Sequence, residues 1–330
     1  MSLGKKQLAA LIMAGSAAPL AGQAAGGVAA YPQRPITLVV GYPPGGAADV
    51  LARQLSLHMS EDLGQTVIVE NRPGASSNIG AAIVAKAAPD GYTLHLASRS
   101  ASLHKSMYRH IDYDFARDLT AVGMAARMPY VLVMGKHVQA ETLQDALQLA
   151  QASPGMLTCA SIGMGTANHL LCEAFQDGAG VQLTHIPYKG AAPAIIDVIG
   201  GRADLMFTAL PSALAHLKAG SVRGMAVMTS ARLAEIPDVP AIEEFGFMEA
   251  KGNAWLAVMA PTGTPKDIVN RLNSALINVL EKTELKDALA SLGFIVPLSN
   301  NSPEAIDAFI AEDVERWTAL LNDRQIKALQ

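Results

Sequence analysis

The sequence has no equipped nucleophile, no phosphate loop and no basic run, and these absences narrow its function first. No Gly-x-Ser-x-Gly stretch is present, so the nucleophile elbow of an α/β hydrolase is missing. Gly135-Lys136 lacks both the upstream glycine and the following Ser or Thr of a Walker loop. The eight histidines form no His-x-x-x-His pair, and Cys159 and Cys172 alone make no recognised metal site. The 25 basic residues are scattered among 29 acidic ones, with no run that would release counterions from a phosphate backbone, so nucleic acid is set aside as a partner. After the amino terminus no apolar stretch reaches the length of a membrane-spanning helix.

What is present begins with Lys5 and Lys6, an apolar stretch from Leu8 to Leu20 and a small-residue tail from Gly22 to Ala30, the layout of a secretory signal peptide. The apolar part is short for a membrane anchor and is interrupted by Gly15, Ser16 and Pro19. Cleavage is expected after Val28-Ala29-Ala30, with Ala24 or Ala25 as alternatives, and no Cys stands nearby to accept a lipid. Loss of Lys5 and Lys6 leaves 23 basic residues against 29 acidic, a formal charge of −6. The mature chain is expected to be a monomer in the periplasm. Export makes a Cys159–Cys172 disulfide chemically possible; spacing leaves the pairing open, and two buried thiols are the favoured reading.

About 300 mature residues exceed what one hydrophobic core usually serves, so two lobes are expected. Short branched runs alternate with helical patterns: Ile36 to Val40, Ala47 to Leu63, Val67 to Glu70, Ile79 to Lys86, Thr93 to Ala97. The alternation resumes from Leu157 to Ala160, Thr166 to Gln176, Leu183 to Pro187, Pro193 to Ile199 and Asp204 to Phe207. Such alternation specifies an α/β fold with a sheet flanked by helices in each lobe. Between the two units Ala121 to Ala126 and Tyr130 to Met134 read as a strand pair broken at Pro129, and Trp255 to Met259 as a later crossing strand. Helices opened by Pro265 and Pro303, and one from Glu284 to Leu292, are expected to pack back on the first lobe. The expected limits are residues 1–30 for the leader, 31–130 with 255–330 for lobe 1, and 131–254 for lobe 2.

Four glycine-containing turns follow strands and open helices. In Gly41 to Asp49 the paired Gly45 and Gly46 let an anion approach helix-start amides that have no internal partner; the plainer alternative is a tight turn with Asp49 as an early helix acid. Pro73 to Gly80 brings Ser76, Ser77 and Asn78, as donors or as caps. Ser161 to His169 repeats the device; it is no dinucleotide fingerprint, because Asn168 stands where the third glycine belongs, and His169 reads as structural rather than catalytic. In Ile186 to Pro193, Tyr188 offers a hydroxyl and a ring, while Lys189 reads as facing water.

Tyr31-Pro32-Gln33-Arg34-Pro35-Ile36, Pro44-Gly45-Gly46 with Asp49-Val50-Leu51-Ala52-Arg53, Glu70 to Ala75, Ala88 to Leu94, Tyr188-Lys189-Gly190 and Ala260 to Pro265 together resemble the Bug receptors. Those are the extracytoplasmic binding proteins of tripartite tricarboxylate transporters. The resemblance implies a two-lobed, Venus-flytrap fold of the type II periplasmic class, with no catalytic activity, cofactor or metal. It further implies that first-lobe loops hold one ligand carboxylate, partly through water, at Tyr42, Gly46, Ala47, Ala48 and Asn78. Second-lobe contacts would be Ser161, Gly165, Thr166, His169 and Tyr188. Thr208 stands where amino-acid-binding members often place Asp, which argues against an ammonium-bearing ligand. Ser76 and Ser77 replace paired glycines, and Arg99 occupies the strand-end loop Ser98 to Ser102, which is commonly small and neutral. An Arg at a cleft mouth would grip a second carboxylate with two parallel bonds; the alternative is a surface Arg paired with an acid.

The expected function is capture of a small organic carboxylate, a dicarboxylate or an aromatic one, and delivery to a transporter's membrane subunit. Two rivals remain open from the residues: an exported α/β enzyme with His169 or Asp49 as base, and a sensor subunit that presents its loaded form to a signalling receptor.

Overall fold

The computed structural model describes residues 31–108, 110–247 and 253–323; the expected leader lies outside them. The elements run β1 (Ile36–Val40), α1 (Ala47–Leu63), β2 (Val67–Asn71), α2 (Asn78–Ala85), β3 (Thr93–Ser98), then the short helices α3 (Arg99–Ser102), α4 (His104–Met107) and α5 (Phe115–Asp118). β4 (Leu119–Gly135) leads to α6 (Leu143–Ala152), β5 (Thr158–Ser161), α7 (Ala167–Ala179), β6 (Thr184–Pro187), α8 (Ala191–Ile199), β7 (Leu205–Ala209), α9 (Leu210–Lys218) and β8 (Val222–Val227). The chain closes with β9 (Asn253–Pro261), α10 (Lys266–Glu281), α11 (Thr283–Ser291) and α12 (Pro303–Asp323).

The strands follow the order β2-β1-β3-β9-β4-β7-β5-β6, with β8 also on β4. β1 is parallel to β2 and β3, and β9 is antiparallel to β3 and β4. In the other half β5 is parallel to β6 and β7, while β4 runs antiparallel to β7 and β8. β4 therefore serves both lobes: it pairs with β9 as far as Pro129 and with β7 from Tyr130 onward. The sequence pattern predicts a break at Pro129, and the structure has one continuous strand instead. A proline is tolerated where a strand exchanges partners, because the lost ladder hydrogen bond falls at the change.

Each lobe has its own apolar interior. Val39, Ala97, Met124, Trp255, Met259 and Ile306 belong to one cluster. Val131, Val133, Ala160, Met206, Leu210 and Val227 belong to the other. In the second lobe Cys159 and Cys172 are joined in a disulfide, which corrects the expectation of two thiols. β5 and the helix that follows it bring the two Cα atoms to 6.8 Å, within bridging reach. Among the described residues no helix is long and apolar enough to cross a membrane.

Candidate functional site

The segments at the carboxyl ends of β1, β3, β5 and β7 line one cavity between the lobes, where open α/β sheets place ligands. After β1 the chain turns through Gly41 to Gly46 into α1. Gly46 caps the helix with no side-chain hydrogen bond, so the first amides look outward from the helix. The Ala47 N–H donates to Ser212 Oγ of α9, in the opposite lobe, at 3.3 Å. A helix start of this kind favours an anion by about 0.3 to 1 kcal/mol when exposed and up to about 2 when partly buried.

Asp49 is unsuited to act as a base. It accepts from the Gly45 amide, from Asn71 and twice from Arg53. Burial pushes its carboxyl up, but the Arg53, Gly45 and Asn71 hydrogen bonds outweigh this and hold it below the usual range. Tyr42 meets Ser98 hydroxyl to hydroxyl at 3.0 Å, and burial raises the phenol, which stays protonated.

Arg99 does not stand in a loop at a cleft mouth. It begins α3, its side chain is 3% exposed, and Nε and Nη2 donate to the two Asp313 oxygens at 2.7 and 3.0 Å. Nη2 also reaches the Asn253 carbonyl, and the guanidinium lies 4.7 Å over Trp317. Trp255 Nε1 donates to the same carboxylate, while Arg99 Nη1 is buried without a partner. The residue is thus paired with an acid, but in the interior rather than on the surface.

Between the lobes lies a cavity of about 80 Å³, room for on the order of half a dozen water-sized groups. Seven of the expected residues line it: Tyr42, Gly46, Ala47, Ala48, Ser98, Arg99 and Thr208. Thr208 falls inside β7 rather than after it. The reading from sequence missed Ser100, Ser212, Met128, Tyr130 and Trp255, which share the wall. Ser212 follows Pro211 at the start of α9, so the rule that ligands sit at strand carboxyl ends would have pointed to it.

A second recess shares Tyr42, Pro43 and Ile162 with the first and holds Ser76, Ser77, Tyr188 and Lys189. Ser76 Oγ donates across the cleft to the Met164 carbonyl at 2.8 Å and accepts from Tyr108 at 3.0 Å. Ala75, Ser76 and Ser77 all have positive φ, a run that costs of order 1–2 kcal/mol per residue. Ser77 Oγ is buried and unpartnered, and it packs so close to Gly41 that any Cβ there would overlap it. The Tyr188 hydroxyl donates to Asp197 instead of into the recess.

The remaining expected residues lie behind these walls. Asn78 uses both ends of its amide, donating to the Ala75 carbonyl and accepting from Tyr113. Ser161 Oγ meets the Gly163 main chain and His185 Nε2, the latter at 2.7 Å. Thr166 caps α7, and the Gly165 N–H donates to His169 Nδ1. His169 Nε2 faces Glu173 at 3.5 Å, and its ring stacks on His185 at 4.1 Å. The His169 hydrogen bond holds the Glu173 carboxyl low, while burial, with His169 nearby, lowers His185 to about 4. Among the described residues no group of three or more His, Cys, Asp or Glu is placed to hold a metal ion.

A model of the family described as the tripartite tricarboxylate transporter family receptor matches residues 51–326. The protein BugT of Bordetella pertussis is 36% identical over 316 residues, covering 95% of this chain and 94% of its own. A Rhodopseudomonas palustris protein solved with adipate superposes with a TM-score of 0.86 at 33% identity, over 91% of this chain and 100% of its own. MatC of the same organism, solved with bound malate, gives 0.84 at 29% identity, over 88% of this chain and 100% of its own.

Proposed function

From the fact that the chain belongs to the family of tripartite tricarboxylate transporter receptors, we propose that it traps a small organic carboxylate between its lobes and hands it, unchanged, to a membrane transporter. The observation that carries this reading is the uncapped start of α1, which opens into the inter-lobe cavity with Ser212 of the other lobe already on its first amide. A carboxylate there takes up the Gly46 and Ala48 amides, which no side chain caps, and joins or replaces Ser212 at the Ala47 amide.

The finer reading is a dicarboxylate or an aromatic acid. Tyr42, Ser98, Arg99 and Tyr130 gather beside the crossing strands, and Met128, Ile162, Trp255 and Leu256 supply apolar wall between polar ends. Two relatives of like fold were solved with adipate and malate, both dicarboxylates. Ser76 and Ser77 serve the recess that adjoins the cavity, and Tyr188 its outer wall. Asn78, Ser161, Gly165, Thr166 and His169 hold these loops in place from behind. The protein works in the periplasm after loss of residues 1–30, as a monomer.

Native mass spectrometry of the purified protein should reveal a bound small acid. Calorimetry should then show adipate or malate binding at least about tenfold more tightly than monocarboxylates of matched length. Flat heats across a broad panel of organic acids overturn the receptor reading; equal affinity for mono- and dicarboxylates overturns the finer one.

A further inference from the structure

β4 passes between the lobes with its side chains alternating faces. Met128 and Tyr130 point into the inter-lobe cavity; Arg127 lines a separate recess of about 390 Å³ behind the crossing strands. Arg99, Ala254 and Trp255 form the partition common to both. The far walls of the rear recess come from both lobes: Phe309, Asp313 and Arg316 of α12 on one side, and Met228 to Ser230 after β8 on the other.

The charge in this recess is out of balance. Arg99, Arg127 and Arg316 line it against the single carboxylate of Asp313. Arg99 already meets that carboxylate with two hydrogen bonds, and Trp255 adds a third. Arg316 reaches it with one bond at 3.2 Å. Arg127 lies 4.8 Å over the Phe309 ring and has no carboxylate partner among the described residues. Two guanidinium groups therefore carry charge that Asp313 does not neutralise, each with planar donors suited to an oxyanion.

We infer that the rear recess is a second site, for a small oxyanion of the phosphate or carboxylate type, held by Arg127 and Arg316. Its position makes it an effector site. A hinge motion that opens the front cleft carries Met228 to Ser230 toward α12 and narrows the space behind, so an occupied recess fits the closed form better. Occupation then raises affinity in the cleft, and cleft ligand raises affinity behind, by the same factor. The coupling rests on the proposed closing motion; the site itself does not.

The test titrates inorganic phosphate, and separately adipate, into wild-type protein and into R127A/R316A, with thermal unfolding as a check on folding. Wild type should bind phosphate in the millimolar range or tighter, and the double variant should lose at least about tenfold with little change in melting temperature. Repeating the adipate titration in saturating phosphate should tighten cleft binding in wild type only. No phosphate binding by wild type overturns the site, as does undiminished binding by R127A/R316A, which would place the phosphate elsewhere on the protein. Phosphate binding that leaves adipate affinity unchanged overturns the coupling alone. If adipate and every other acid fail in the cleft while phosphate still binds behind, the receptor reading falls and the rear site stands.

Discussion

Asp313 is a single side chain on which several parts of the chain converge. Its carboxylate takes hydrogen bonds from Arg99, Trp255 and Arg316, and its side chain is only 2% exposed. Removing one member of a buried pair strands the other, which typically costs 3–5 kcal/mol. Asp313→Ala is therefore expected to lower stability by about that much, read from urea unfolding at neutral pH; a loss below about 1 kcal/mol would mean that water reaches the guanidinium. His95 gives a second, pH-dependent expectation. It is buried and hydrogen-bonded to the Val39 carbonyl, and burial lowers it from 6.5 to about 4. A folded histidine with a depressed value takes up its proton later than the unfolded chain does. Stability is thus intact above about pH 6.5 and drains away as pH falls toward 4, by about 3 kcal/mol at 1.36 kcal/mol per unit. His95→Gln should flatten that part of the profile when urea midpoints are compared at neutral pH and near pH 4; an unchanged slope would move the effect elsewhere. Neither residue's role was legible in sequence, since Asp313 meets Arg99 from 214 positions away and His95 meets Val39 from 56.

At the scale of elements, the strand-turn-helix units were largely legible and the irregular ones were not. β1 and α1 fall where the branched run and the helical pattern placed them, because each carries a full period of buried positions. α3, α4 and α5 have four residues each, too few to express a helical period, and so Arg99 was expected in a loop. The turns that open helices were visible as glycine-containing stretches, but which amides reach the cavity depends on the lobe opposite. Gly190 illustrates this dependence. Its φ is +146°, and a Cβ there would lie 3.1 Å from Pro43 of the facing lobe. Gly190→Ala adds backbone strain in both open and closed forms but meets Pro43 only on closure. It should lower stability by about 1–3 kcal/mol. It should also weaken carboxylate binding by a further factor of about ten, measured by calorimetry beside urea unfolding. If affinity and stability fall only in step, the contact with Pro43 has no part in closure.

For the whole molecule, the contacts between lobes are the ones on which the proposed closure would act. On the cleft side Ser76 bonds Met164, the Ala47 amide bonds Ser212, and Gly190 sits against Pro43. On the hinge side β4 carries main-chain continuity from one half-sheet to the other. Of these cleft-side contacts two are single hydrogen bonds and one is the packing of Gly190 on Pro43, and a ligand that touches both lobes shifts the population by its difference in affinity for the two forms. A compact chain of about 300 residues has a radius of gyration near 19 Å. X-ray scattering should give a larger value for the ligand-free protein and approach that figure as carboxylate is added. Ser76→Ala tests the latch directly. It keeps the backbone but removes both the bond to Met164 and the acceptor for Tyr108. A neutral hydrogen bond is worth about 1 kcal/mol net, so the closed-to-open ratio should fall about fivefold. The scattering curve of the variant should then close at correspondingly higher ligand concentration, to the same final radius. If wild type and variant close together, Ser76 spans the cleft without holding it, and closure rests on the guest alone.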